Sequence, residues 1–290
     1  MPDTYLRRFI LPAALLLASA AVLAVLVMSM LPAGFSGRPE DDNTVIVNDG
    51  ANLVSIVPQE GAAVSMLQAG DFAADGDMIL YTESDYRTRQ GIDVSEFQGQ
   101  IDWHAVKDSG VEFAYLRIGY RGSTEGLLHE DAMYRRNLAG AREAGIEPGI
   151  YFFSQAISSE EAREEAEWVL SLLDSWTPDL PVMFDWEPFG ADHSRSQTAD
   201  TERLTDCAMA FCDCLADAGY GAGVYLNRQQ GYYVYDIARL QAYTLWVSDP
   251  NESPDFYYAF SLWQYTFSGT VPGIGTAVDR DLLFIPASAE

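Results

Sequence analysis

Asp185 and Glu187 stand two residues apart in the apolar run PVMFDWEPF, which otherwise reads as a buried strand. Side chains alternate along a strand, so both carboxyls point to the same side. Burying a carboxylate is costly unless it is paired, hydrogen-bonded or protonated. Stability therefore does not ask for two acids here; chemistry does. Carboxyls crowded among apolar neighbours lose hydration and repel one another, and both effects raise pKa values. One member can then keep its proton near neutrality while another ionises. Acid–base chemistry on a glycosidic bond needs that division. At the rise of a strand the two Cα atoms lie about 6.6 Å apart. Retaining glycosidases place their carboxyls about 5 Å apart and inverting ones about 6.5 to 9.5 Å, so the stereochemical outcome stays open.

The elements that must position these acids begin at Gly91. Eight strand candidates follow: GIDVS, EFAYLRIG, PGIYFF, PVMFDWE, GAGVYLN, TLWVSD, FSLWQYT and AVDRDLLF. Amphipathic stretches separate the first five: WHAVKDSG, LHEDAMYRRNLAGAREAG, SSEEAREEAEWVLSLLDSW and TADTERLTDCAMAFCDCLADAG. Ser158 followed by Glu161 predicts a capping box, and Gly145 and Gly219 fall where left-handed C-caps belong. The order predicts an α/β fold, an irregular TIM-like β/α barrel of about eight strands with helices missing after the later ones. Such barrels carry their chemistry at the C-terminal ends of the strands. Residues expected there are Asp93, Arg117, Tyr151, Asp185, Glu187, Tyr225, Asn227, Asp249, Gln264 and Asp279. The mouth would collect four acids: Asp93, Asp185, Glu187 and Asp279. Around it Tyr151, Phe153, Tyr225, Trp246 and Trp263 could stack on sugar faces, with Asn227 and Gln264 as a polar rim.

Each residue also has a plainer reading. Asp93 can cap a turn. Asp279 can pair with Arg280, and Asp281 beside it competes for the same place. Tyr and Trp at strand ends are more often core or rim than ligand contacts. His104, His129 and His193 read as surface residues without metal-binding spacing, so neither metal nor cofactor is expected. The run EEAREEAE reads as a solvated helix face. Cys207, Cys212 and Cys214 share one helical segment, where they read as small core residues rather than a bridge or metal site.

Formal net charge is −26, and Lys107 is the only lysine. That excludes nucleic acid and other polyanions as partners and leaves neutral polymers open. At the amino terminus Arg7 and Arg8 precede an apolar stretch of 23 residues from Phe9 to Leu31. A helix of that length spans about 34 Å, enough for a hydrocarbon core of about 30 Å. Residues 1–37 are therefore expected to be a transmembrane signal anchor that holds the rest of the chain outside the cell membrane. The alternative is a cleaved signal ending near Ala18-Ser19-Ala20 and a secreted protein. Residues 38–90 begin with RPEDDN and continue in short apolar bursts, which suggests an extracellular linker or small β-rich stalk. Residues 91–290 make up the barrel domain.

Together GIDVSEFQGQIDW, VKDSGVEFAYLRIGYRG, GIYFFSQAISSEEA, FDWE, GVYLN, LWVSD, LWQYTFSGTVPGI and VDRD closely resemble the lysozymes of glycoside hydrolase family 25. The likeness runs from Gly91 to Phe284. It implies an irregular β/α barrel and an N-acetylmuramidase, which cuts the β-1,4 bond between N-acetylmuramic acid and N-acetylglucosamine in peptidoglycan. By position, Glu187 would be the general acid and Asp185 the carboxylate that stabilises an oxocarbenium-like or acetamido-assisted intermediate. Asp93 and Asp279 would line the same site. Tyr151, Tyr225 and Arg117 would face the sugar, with Trp246 and Gln264 completing the binding set. Asp281 stands where relatives often carry asparagine. The expected partner is a peptidoglycan glycan strand, met by a monomer. The rival reading is a catalytically inactive barrel that binds glycan or docks a partner. A second enzyme reading is a hydrolase of another amino-sugar polymer such as chitin.

Overall fold

The computed structural model describes residues 43–190 and 194–289. The expected anchor and His193 lie outside the described residues. From Asn43 onward the chain forms one compact unit. Two hairpins come first: β1 (Val45–Asn48) with β2 (Leu53–Ile56), then β3 (Phe72–Asp75) with β4 (Met78–Tyr81). The barrel opens with β5 (Tyr86–Val94), α1 (Trp103–Asp108), β6 (Phe113–Arg121) and the short β7 (Leu128–Glu130). Next come α2 (Tyr134–Glu143), β8 (Glu147–Ser154), α3 (Ser159–Leu173), β9 (Val182–Trp186), α4 (Leu204–Asp217) and β10 (Ala222–Asn227). Only α5 (Arg228–Tyr233) and α6 (Ile237–Leu240), both short, precede β11 (Thr244–Ser248), β12 (Leu262–Gly269) and β13 (Val278–Pro286).

Eight strands close the barrel in the order β5, β6, β8, β9, β10, β11, β12, β13, and β13 returns to β5. Every neighbouring pair is parallel except the two made by β13, which runs antiparallel to both β12 and β5. The reversal decides where Asp279 lies. Asp279 stands near the start of its strand, which in an all-parallel barrel is the end opposite the mouth. In the reversed strand it pairs in register with Asp93, near the end of β5.

Alternation along the strands builds two cores. Outward residues such as Leu116, Ile150, Phe184 and Val224 pack with Ala166, Val169, Phe211 and Leu215 of the helices. Inward residues Phe113, Tyr115, Met183, Trp246 and Leu262 fill the barrel below the mouth. Gly91 makes room for this filling, because a Cβ there would sit 2.1 Å from the Phe113 ring.

Most of the outer face of β12 and β13 has no helix packed on it among the described residues. The β3–β4 hairpin covers it instead, with Leu67 ahead of it: Leu67, Phe72, Ile79 and Tyr81 pack on Trp263, Tyr265, Leu282 and Phe284. The first hairpin and its exit are also tied down. Asp49 accepts a hydrogen bond from the Tyr233 hydroxyl, and Gln59 donates to the Tyr235 carbonyl. The segment expected as a linker or β-rich stalk thus forms two hairpins that pack on the barrel.

Four local expectations need correction. The stretch beginning at Leu128 is not helical at its start, since Leu128–Glu130 pairs with β6. The capping box of α3 is half formed: Ser158 accepts from the Glu161 amide, but the Glu161 carboxylate accepts from Ile157 and binds Arg195. Glu165 is fully buried rather than solvated, because it lies on the face of α3 shared with Ala162, Ala166 and Val169. Trp263 is buried on the outer face, where its indole donates to the Asp249 carbonyl. Its neighbours Leu262 and Gln264 take the inward positions, so parity sends Trp263 out. Cys207 and Cys212 are buried, Cys214 is partly so, and all three are free thiols.

Candidate active site

A cavity of about 200 Å³ opens at the barrel mouth. Each of the eight barrel strands or its exit supplies a wall residue. β5 brings Asp93, β6 Arg117, β8 Tyr151 and Phe153, and β9 Asp185 with Glu187 just beyond it. β10 adds Tyr225, β11 Trp246, β12 Gln264 and β13 Asp279. All nine residues expected to form the site thus meet in one cavity. Two others from the list of strand ends do not. Asn227 caps α5, accepting from the Gln230 amide, and Asp249 is buried in an ion pair with Arg228. The start of α5 claims both side chains: its Gln230 amide binds Asn227 and its Arg228 binds Asp249, which also accepts from the Asp255 amide.

The acids differ in exposure and in partners. Asp93 is buried, and its Oδ2 accepts from Gln264 Nε2 at 2.7 Å. The same nitrogen lies 3.4 Å from Asp279 Oδ2, so one amide bridges the two aspartates. Tyr225 donates to Gln264 Oε1 at 2.8 Å and fixes which end of the amide faces the acids. Asp185 is buried, and its Oδ1 has no hydrogen-bond partner within the protein. Glu187 and Asp279 are only partly buried. Among the described residues no group of three or more His, Cys, Asp or Glu is arranged to hold a metal ion.

Crowding shows in the protonation of the whole set. Burial raises Asp185 well above the ordinary carboxylate range, and Glu187 and Asp93 nearby add to it. Burial and then the proximity of Asp279 do the same for Asp93. Glu187 is raised by burial and by Asp279, while burial lifts Asp279 to about 6. Groups so close titrate as a set, holding fewer charges near neutrality than carboxyls.

Arg117 is the one cation in the wall, and two acids hold it. Its Nε donates to Asp131 at 2.8 Å and an Nη to Glu96 at 3.0 Å. Trp246 is almost wholly buried, stacked on Tyr115 with centroids 4.8 Å apart, and donates to Asp281 Oδ1 at 2.9 Å. Trp246 therefore serves as the cavity floor more than as an open stacking face.

The segment that carries Glu187 is anchored by residues beyond the expected set. The ladder to β10 ends at Asp185 and the ladder to β8 ends at Trp186. Past that point two buried glutamines take over. Gln230 donates to the Trp186 carbonyl at 2.6 Å, and Gln155 donates to the Glu187 carbonyl at 2.7 Å. Trp186 itself donates from its indole to the Ala156 carbonyl. Sequence reasoning also missed Ser95, Phe97 and Gln98, which line the cavity from the loop after β5. That loop had a readable signal. Ser95 and Gln98 have capping-box spacing, and they form one around a single helical turn.

Residues 92–274 match the family model described as "Glycosyl hydrolases family 25". The autolytic lysozyme of Clostridium acetobutylicum is 28% identical over 194 residues, which cover 66% of this chain and 55% of that protein. Lysozyme M1 of Streptomyces globisporus is 29% identical over 204 residues, 66% of each protein. The chain thus spans about half to two-thirds of the length of these relatives. Among solved structures, the modular autolysin LytC of Streptococcus pneumoniae superposes with a TM-score of 0.57 at 24% identity, over 69% of this chain and 47% of that one. That likeness speaks for the fold.

Proposed function

We propose that this chain, which belongs to glycosyl hydrolase family 25, is a lysozyme-type peptidoglycan hydrolase. The bond we assign to it is the β-1,4 link between N-acetylmuramic acid and N-acetylglucosamine. One observation carries the reading: four carboxyls from three separate strands converge on one cavity whose one wall cation, Arg117, is already held by Asp131 and Glu96. Glu187 is the proton donor. It is more open than Asp93 or Asp185, and its raised pKa keeps a proton available for the glycosidic oxygen. As that proton moves, the bond from the anomeric carbon to the oxygen breaks and positive charge develops at the carbon. Asp185 offsets that charge as a carboxylate, and a proton that it holds passes to the newly ionised Glu187, which restores the acid. Asp93 and Asp279, bridged by Gln264, add negative potential on the opposite wall. Water then completes the hydrolysis, and the stereochemical outcome rests on the carboxyl separation in the complex.

The test is release of reducing ends from purified peptidoglycan, with the products identified by mass spectrometry. Wild type should yield N-acetylmuramic acid at the new reducing end, and Glu187→Gln should yield almost nothing while still binding. No release by wild type would favour a glycan-binding barrel, and a different reducing sugar would point to another polymer.

The anchor is part of the same proposal. Among the described residues no helix is long and apolar enough to cross a membrane. The run Phe9–Leu31 lies outside them, so the support is the sequence: a span-length apolar stretch behind Arg7 and Arg8. A mature protein that starts after Ala20 and is free in the medium would replace the anchor with a cleaved signal.

A further inference from the structure

We infer that Phe97 is a stacking platform for a second sugar ring of the glycan, next to the ring held among the acids. The inference rests on the glycan-hydrolase reading. It starts from an imbalance in the cavity wall. Phe152, on the barrel, is fully buried, as a phenylalanine ordinarily is, whereas Phe97 is 73% exposed and still lines the cavity rim. A single exposed aromatic on a loose loop would mean little. This one is on a tied loop.

Three sets of bonds hold it. Ser95 and Gln98 form their capping box around the turn Glu96–Gln98. The Glu96 amide donates to Asp131 Oδ2, and the Glu96 carboxylate holds Arg117. Arg117 then lies between two rings, its guanidinium carbon 5.0 Å from the Phe97 centroid and 5.1 Å from that of Tyr120. Asp131 fixes the other side of the guanidinium. One side of the phenyl ring thus rests on a pinned cation, and much of its surface remains open to solvent.

A pinned aromatic surface at the rim of a polar, acid-lined cavity suits a ligand with apolar C–H faces and hydroxyl edges. A pyranose ring has both. The wall is continuous from Asp93 through Ser95 to Phe97, so a ring on Phe97 belongs to the same strand of polymer as the ring among the acids. Arg117 takes on a revised role: a positioning residue that sets the angle of Phe97, its Nε and one Nη already engaged by Asp131 and Glu96.

Soluble glycan oligomers of defined length, from the shortest that is cut to chains several units longer, supply the test. Phe97→Ala should raise KM about tenfold on the longer oligomers and leave kcat within about twofold, the size expected for one lost aromatic contact. Phe97→Trp should restore the wild-type KM. On the shortest cleavable oligomer the alanine variant should lose less, if that oligomer does not reach the platform. A KM unchanged at every length overturns the proposal. So does a loss confined to kcat, which would make Phe97 a structural support for Arg117. In the Glu187→Gln background the same substitution should weaken glycan binding measured by calorimetry. That arm keeps the two readings apart: if wild type binds glycan but cuts none, the hydrolase reading fails while Phe97 remains testable.

Discussion

The barrel contains two clusters of buried acids that were assembled on opposite rules. Behind β6 and β8, Glu165 is fully buried, with one oxygen 2.7 Å from Arg121 Nε and the other accepting from Ser154 at 2.6 Å. Arg121 also binds Glu164 at 2.7 Å and donates to the Gly126 carbonyl. Both oxygens of this acid are thus engaged. At the mouth, Asp185 and Asp281 each keep a buried oxygen with no hydrogen-bond partner, and the charges acting on them most strongly are other carboxyls. Burial raises a pKa in both places, and Glu165 reaches about 7. A raised pKa alone therefore does not mark a working site. Partner accounting does: an acid with its cation is architecture, and acids that face one another are held for chemistry.

The strongest way to break this contrast is to remove one acid from each side. At the mouth, Glu187→Gln should cut reducing-end release by about a thousandfold, within the range for a lost general acid. Its melting temperature should rise or hold, because one member of a repelling set is gone. In the rear cluster, Arg121→Met leaves Glu165 buried without its cation. Stability should drop by about 3 to 5 kcal/mol, read from denaturant unfolding. The protein still folded should keep the pH profile of wild type. A stable Arg121→Met beside an unfolded Glu187→Gln would reverse the assignment of the two clusters.

This contrast was only half legible in the chain. The mouth was readable because period-two parity and strand order place Asp93, Asp185, Glu187 and Gln264 on inward positions. The same parity, applied to FSLWQYT, sends Trp263 outward. Asp279 begins its strand, and only the antiparallel run of β13 puts it at the mouth; strand direction leaves no mark in a local pattern. The rear cluster was hidden. Glu165 sits in a run of glutamates, and the cation that lets it stay buried, Arg121, lies 44 residues away on another element. Separations of 32 and 44 residues likewise hide Gln155 and Gln230, whose amides meet the Glu187 and Trp186 carbonyls only once the fold has formed.

Those glutamines give an intermediate test of how rigidly the mouth is held. Gln155→Leu removes the donor to the Glu187 carbonyl while keeping the volume apolar. The expected result is a kcat lower by about tenfold with KM little changed, in line with about 1.5 kcal/mol for a buried hydrogen bond that sets geometry. A variant that loses KM instead would show that Gln155 supports binding and not the acid.

The smallest expected effect is the sharpest probe of the unpartnered acids. Asp281 lies beneath Asp93 and Asp279, fully buried, with only Trp246 bound to it. Burial raises its pKa well above the carboxylate range, and the charges of Asp93 and Asp279 raise it further. Below about pH 3 the acid is protonated whether the chain is folded or not, so it does not favour either state. As pH rises, the unfolded chain releases the proton while the folded chain retains it, and the folded state loses ground until its own pKa is passed. Asparagine does not titrate and can still accept the Trp246 hydrogen bond. Asp281→Asn should therefore match wild type in melting temperature near about pH 3 and gain on it as pH rises, by on the order of 2 to 4 °C per kcal/mol relieved. Parallel curves would mean that Asp281 is ionised at no cost. The mouth would then hold a counter-charge that its side chains do not reveal, and the contrast with the Arg121 cluster would dissolve.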